Sequence, residues 1–166
     1  MRVLVAVVSR HGSTFEIAER IAAGLRTGGH DVDLARIDED PEIELDRYEA
    51  CVIGSAVYEG HWLRRARRFL SDNRDHLRRV PVFLFSSGPV GNNAIGVDNE
   101  HATKLAELSG AVDHRQFPGR LDRNTLKRRE RWIVDVVRAH DGDFRDWDAI
   151  DEWAATIASR LDAAQR

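Results

Sequence analysis

The sequence predicts a three-layer α/β/α fold in which helices cover both faces of a five-stranded, mainly parallel sheet, and three observations predict it. Residues 3–8, 50–55 and 80–85 are apolar on consecutive positions, the pattern of strands buried on both faces. Segments of helical period separate these strands, so right-handed crossovers join them into one sheet. Residues 9–14, 54–62 and 86–96, which follow three of the strands, are rich in glycine, small polar and aromatic residues, a composition suited to ligand loops at the carboxyl ends of parallel strands.

The elements follow in order. Residues 2–8 form a buried strand, and a helix from Thr14 to about Thr27 places Ile17, Ile21, Ala22 and Leu25 on one face before Gly28 and Gly29 stop it. Residues 31–37 alternate polar and apolar, as a strand more exposed on one side does. A buried strand over 50–55 ends at Gly54 and Ser55. The arginine-rich stretch 62–79 forms a helix with Trp62, Ala66, Phe69 and Leu70 inward, and the strand over 80–85 ends at Ser86, Ser87 and Gly88. Residues 99–109 form a helix, 113–121 a final and poorly hydrophobic strand, and 146–164 a closing helix with Ile150, Trp153, Ala154, Ile157 and Leu161 on one stripe.

Length and composition bound the reading. The 166 residues suffice for one domain with a sizeable core, taken as residues 1–166, and 42% hydrophobic with 32% charged residues is ordinary for a soluble globular protein. Met1 and Arg2 run straight into the first strand, leaving no room for a signal peptide, and no apolar run reaches the length of a membrane span. The single cysteine, Cys51, is expected to be a buried, inert thiol, and the cytoplasm is the expected compartment. A net charge of −3 supplies no global field for nucleic acid. Arginines gather instead at 62–79 and 120–138, as solvated helix faces or as contacts for an anionic surface or substrate.

The loop over Ser9, Arg10, His11, Gly12, Ser13 and Thr14 has the chemistry of a phosphate cradle. A strand that turns through Gly12 into a helix leaves backbone N–H groups open where the helix dipole favours an anion, and Ser9, Ser13 and Thr14 can each donate a further hydrogen bond. Neither GxxxxGK[ST] nor GxGxxG is present, so a monophosphate held without metal fits better than a nucleoside triphosphate or a dinucleotide. The same residues also suit an ordinary helix cap. The loop from Gly54 through Ala56, Val57, Tyr58 and His61 to Trp62 offers backbone donors beside aromatic surface, as a planar heterocycle requires. Tyr58 is favoured to stack on such a ring, and Trp62 to pack in the core. The loop over Ser87, Gly88, Pro89, Val90 and Gly91 suits close backbone approach to a flat ligand edge, or a plain strand-to-helix connection.

Ser9-x-His11-Gly12-Ser13-Thr14 after a short first strand resembles the phosphate loop of flavodoxins, and the other two loops lie where that family sandwiches the isoalloxazine of FMN. Within flavodoxin-like proteins the chain is most similar to the menaquinone-dependent protoporphyrinogen IX dehydrogenase group, through Val52-Ile53-Gly54-Ser55-Ala56-Val57-Tyr58-Glu59-Gly60-His61, Phe117-Pro118-Gly119-Arg120-Leu121 and Asp146-Trp147. That resemblance implies FMN as cofactor, with a related deazaflavin as the alternative. It also implies residues 9–14, 56–58 and 87–91 as its binding set and a long insert at about 120–143 before the last helix.

In the insert, Leu126, Glu130, Ile133 and Val137 share one helical face, and cations occupy the rest. Such a helix suits peripheral contact with the inner face of the cell membrane, the carboxylates of a porphyrin, or simple packing on the sheet. The resemblance implies an FMN-dependent dehydrogenase acting on a tetrapyrrole with quinone as acceptor in heme biosynthesis. A flavodoxin-type electron-transfer protein without its own substrate is the alternative. Small-molecule redox partners, no metal and no nucleic acid are expected. His61 is weighed as a donor to reduced flavin or as a surface histidine at a helix start, and no side chain is assigned as catalytic.

Overall fold

The computed structural model describes residues 1–39, 43–88, 99–121 and 142–166. Strands β1 (Arg2–Val8), β2 (Asp31–Arg36), β3 (Ala50–Tyr58), β5 (Val82–Ser87) and β6 (Asp113–Phe117) pair in the order β2-β1-β3-β5-β6, every pair parallel. The two-residue strand β4 (His61–Trp62) folds back antiparallel onto β3. Charged β2 and β6 form the edges, as the need to block further strand pairing favours.

Alternation along the central strands divides the interior in two. Val3, Val5 and Val7 face helices α1 (Ser13–Thr27) and α5 (Trp147–Ala164), where Ile17, Ile21, Leu25, Ile150, Trp153, Ile157 and Leu161 complete one core. Leu4, Ala6 and Val8 face the other way, where α2 (Arg64–Asp72), α3 (Arg74–Leu77) and α4 (Asn99–Ser109) bury Ala66, Leu70, Leu77 and Leu105. The expected three layers follow. Cys51 is fully buried in the second core, and burial pushes its thiol up to about 12.

Two glycine contacts draw the first core tight. A Cβ on Gly24 or on Gly28 would stand 2.8 Å from the Cβ of Ala154 or Ala158, so α1 and α5 approach almost backbone to backbone. Gly54 lies beneath the ring of Phe85, with 2.1 Å between an ideal Cβ and Phe85 Cζ. That ring meets Phe117 and Trp153 at centroid distances of 6.5 and 6.3 Å.

Several boundaries differ from expectation. β3 does not end at Gly54 and Ser55 but runs to Tyr58, because residues 56–58 keep the ladder and Val57 and Tyr58 pair with Trp62 and His61. Trp62 therefore belongs to a strand, and the arginine-rich helix starts at Arg64 and breaks at Asn73 into α2 and α3. β5 is shifted to Val82–Ser87, since Pro81 has no N–H for the ladder while Ser86 and Ser87 remain paired. The strand expected over 113–121 breaks at Pro118 and Gly119. Beyond the break, β7 (Arg120–Leu121) pairs antiparallel with β8 (Gly142–Asp143), so the insert leaves and returns through one two-stranded stem. The helical reading of the insert falls on residues 122–141, outside the described residues.

Candidate functional site

In this strand order the chain leaves β1 toward β2 on one side, then crosses back to β3 on the other. The loops after β1 and β3 diverge at that reversal, which is where open parallel sheets form a binding crevice. Val8 pairs with Ser55, Ser55 with Ser86 and Ser86 with Gln116, so one rung spans four strands. The next residues along are Ser9, Ala56, Ser87 and Phe117. Ladder register thus brings all three expected loops to one level at one end of the sheet.

Gly12 caps α1 in the left-handed region, with φ +84° and no side-chain cap. With glycine at this position, no N-cap side chain covers the first amides of α1. Ser9 is 5% exposed, and its Oγ has no hydrogen-bond partner among the described residues. An unsatisfied buried hydroxyl costs about 1–3 kcal/mol, and this one lies in the loop that leads into the N-terminus of α1. Thr14 is buried. Ser13 Oγ accepts the Arg120 N–H at 2.9 Å, which leaves the Ser13 proton free to donate.

Tyr58 is half-buried at the end of β3, and the Arg10 guanidinium carbon stands 4.8 Å from its ring centroid. One ring face thus carries a cation. Beyond Tyr58, Glu59 (φ 51°) and Gly60 (φ 80°) both take left-handed backbone, as a tight two-residue hairpin demands. Ala56 and Val57 are almost wholly buried, and a Cβ on Gly88 would lie 3.1 Å from the Val57 carbonyl oxygen, so the end of β3 and the first residue after β5 touch through backbone. Ser87 is buried beside Gly119. Pro89, Val90 and Gly91 lie outside the described residues.

A polar chain supports this end of the sheet from the α4 side. Trp62 Nε1 donates to Ser86 Oγ at 2.7 Å, and Ser86 Oγ stands 2.7 Å from His114 Nε2. A hydroxyl has one proton and two lone pairs, so Ser86 Oγ can hold Trp62 and His114 at once, with the direction of the second bond set by the imidazole tautomer. Burial pushes the His114 pKa down and His101 adds to the shift, against an opposing effect of Asp113. The Trp62 N–H donates to His101 Nε2 at 3.1 Å, and Leu63 N–H to Ser55 Oγ at 3.0 Å. Trp62 is 2% exposed, which realises the core role weighed for it. His61 lies in the hairpin rather than at a helix start, bonded through Nδ1 to the Glu59 carbonyl and 4.9 Å ring to ring from His101.

A charged cluster absent from the sequence reading adjoins the Gly12 loop. Arg145, with only 3% of its side chain exposed, bonds Glu16 Oε2 at 2.6 Å and Asp143 Oδ1 at 2.7 Å, and lies 4.5 Å over the Trp147 ring. Arg120 Nη2 reaches Glu16 Oε1 at 3.0 Å. Hydrogen bonds from Arg145 hold the Asp143 carboxyl below its usual range, and bonds to Asp143 and Glu16 push the Arg145 guanidinium up despite its burial. Among the described residues no group of three or more His, Cys, Asp or Glu could hold a metal ion, and no helix is long and apolar enough to cross a membrane.

A doubly wound α/β protein whose first helix opens through a left-handed glycine at the reversal of strand order is the class that the fold defines. The Flavodoxin domain family matches residues 4–148, and the chain belongs to that family. In sequence it is similar to the protoporphyrinogen IX dehydrogenase [quinone] of Escherichia coli K12, 28% identical over 86 residues that span 52% of this chain and 48% of that protein. The match thus covers about half the length of that relative. In structure it is similar to a flavodoxin from the domain Archaea, with TM-score 0.65, 16% identity and 98% and 99% of the two chains covered. A Lactobacillus acidophilus flavoprotein in complex with FMN gives TM-score 0.54 at 18% identity, over 69% of this chain and 92% of that one.

Proposed function

We propose that this end of the sheet binds FMN and that the chain is an FMN-dependent oxidoreductase. The observation that carries the reading is the buried Ser9 hydroxyl, unpartnered among the described residues, beside the uncapped N-terminus of α1. The donor set fits a phosphate dianion: Ser9, Ser13 and Thr14 hydroxyls and the amides after Gly12, with Arg10 and His11 in the same loop to offset charge. Ala56, Val57 and Tyr58 on one side and Ser87 to Gly91 on the other suit a flat ring. Tyr58, its other face held by Arg10, is the aromatic surface available to it.

FMN, when bound, supplies two-electron acceptance as a hydride equivalent or one-electron steps. The chain's own tasks are then to anchor the phosphate, order the ring-side loops and exclude water from one ring face. The Trp62 to Ser86 to His114 chain performs the second task by tying the β3–β4 hairpin to β5 and β6.

The substrate reading is a tetrapyrrole dehydrogenation with quinone as acceptor, as in heme biosynthesis. It is supported by the match to a quinone-dependent protoporphyrinogen IX dehydrogenase and by cations near the crevice that suit a substrate bearing carboxylates. The insert at residues 120–143 is the proposed contact for that substrate, or for a membrane surface that delivers the quinone.

Two measurements test the proposal in order. Absorbance of the purified protein, before and after incubation with FMN and desalting, is expected to show a retained flavin band; none at all would overturn the cofactor assignment. Anaerobic mixing with protoporphyrinogen IX and a menaquinone analogue is expected to develop porphyrin fluorescence above the uncatalysed rate. A flavin-loaded protein that fails this second test is an electron carrier instead.

A further inference from the structure

Glu16 sits where a phosphate-binding helix should not carry a bare carboxylate. It lies in the first turn of α1, and its Oε1 is 3.9 Å from the position a Cβ on Gly12 would take. Without a ligand, a carboxylate there favours the helix dipole; with a dianion at the same terminus, it opposes binding. The structure supplies two counter-charges, both from the stem of the insert. Arg120 of β7 bonds Oε1, and Arg145, two residues past β8, bonds Oε2. Asp143 takes the rest of Arg145, so two acids and two bases cancel. The same stem touches the cradle directly, since the Arg120 N–H bonds Ser13 Oγ and thereby directs the Ser13 proton elsewhere.

We infer that Arg145 and Arg120 are specificity-determining residues for the phosphate: by neutralising Glu16 they make the N-terminus of α1 permissive for a dianion, and they make phosphate affinity depend on the closed β7–β8 stem. This rests on the FMN reading and goes beyond it, because neither arginine needs to touch the cofactor. They are positioning residues that act through Glu16 and Ser13. The burial of Arg145 supports the assignment. A guanidinium with 3% of its side chain exposed, held by two carboxylates and an aromatic face, is fixed in place rather than sampling solvent.

Riboflavin separates this role from a general structural one, since it has the same ring and no phosphate. Fluorescence quenching gives dissociation constants for FMN and for riboflavin with the wild type, Arg145→Met, Glu16→Gln and the double variant. Arg145→Met is expected to weaken FMN by about tenfold and leave riboflavin within about twofold, with the gap narrowing at high salt. Glu16→Gln, which keeps an acceptor for Arg145, is expected to tighten FMN severalfold and to restore FMN binding in the Arg145→Met background. Glu16→Gln also keeps the test decisive should Arg145→Met fail to fold, a point thermal melting reports. Equal losses of FMN and riboflavin in Arg145→Met, or weaker FMN binding in Glu16→Gln, would overturn the inference while leaving the cofactor reading intact. Failure of the wild type to bind FMN would overturn both.

Discussion

On the α1 and α5 face the sheet is covered by close apolar contact, Gly24 and Gly28 against Ala154 and Ala158 and Gly54 under Phe85, whereas on the α2 to α4 face a polar chain runs from Trp62 through Ser86 to His114 beneath the strand ends. The first face leaves α1 no room to shift and so fixes the geometry of the loop at its N-terminus. The second holds the hairpin and β5 by directional bonds, whose strength depends on the protonation of a histidine. Rigidity on the side proposed for the anion and hydrogen-bonded support on the side proposed for the ring are therefore separable, and mutations should separate them.

The largest effect should come from Gly54→Ala. Its new methyl has no place beneath Phe85, and moving that ring disturbs Trp153 and Phe117, so a loss of about 3 kcal/mol in chemical denaturation is expected. Gly24→Ala comes next. Helix propensity alone would gain about 1 kcal/mol, yet contact with Ala154 should make the net change a loss of about 1–2 kcal/mol. Ala154→Gly in the same chain should recover part of it, and a stabilised single variant would break the close-packing account.

On the polar face, Ser86→Ala leaves Trp62 Nε1 without its acceptor and should cost about 1–2 kcal/mol. The smallest effect is the pH dependence. His114 has a depressed pKa in the fold, so the unfolded chain binds its proton first, at the ordinary value of 6.5. Stability from this group is present above that value and lost as pH falls through it, until the folded group protonates too. Melting temperature should thus drop between pH 7 and 5.5 in the wild type and drop less in His114→Gln. An unchanged profile would mean that His114 carries no such linkage.

Much of this was legible in the sequence, and the gaps have physical causes. Consecutive apolar runs and helical stripes located the layers, because burial on both faces leaves a direct imprint on composition. The extension of β3 was missed because the hairpin turns at Glu59-Gly60, a weaker signal than Asn-Gly, and because Ala56, Val57 and Tyr58 sit among small polar residues. Expecting 113–121 as one strand underrated Pro118 and Gly119 as a break. The convergence of the loops after β1, β3 and β5 at one end of the sheet was legible because parallel strands joined by helices all run the same way. Arg145 was not: 129 residues separate it from Glu16, and no local spacing marks two groups that meet only when the insert closes on its stem.

The central claim is that an anion completes the N-terminus of α1, and Ser9→Ala tests it from two sides. Removing a buried hydroxyl that has no partner among the described residues should leave the ligand-free protein as stable or more stable, by up to about 1 kcal/mol, while weakening FMN by about tenfold and riboflavin hardly at all. Unchanged FMN affinity in a folded Ser9→Ala protein would contradict the claim.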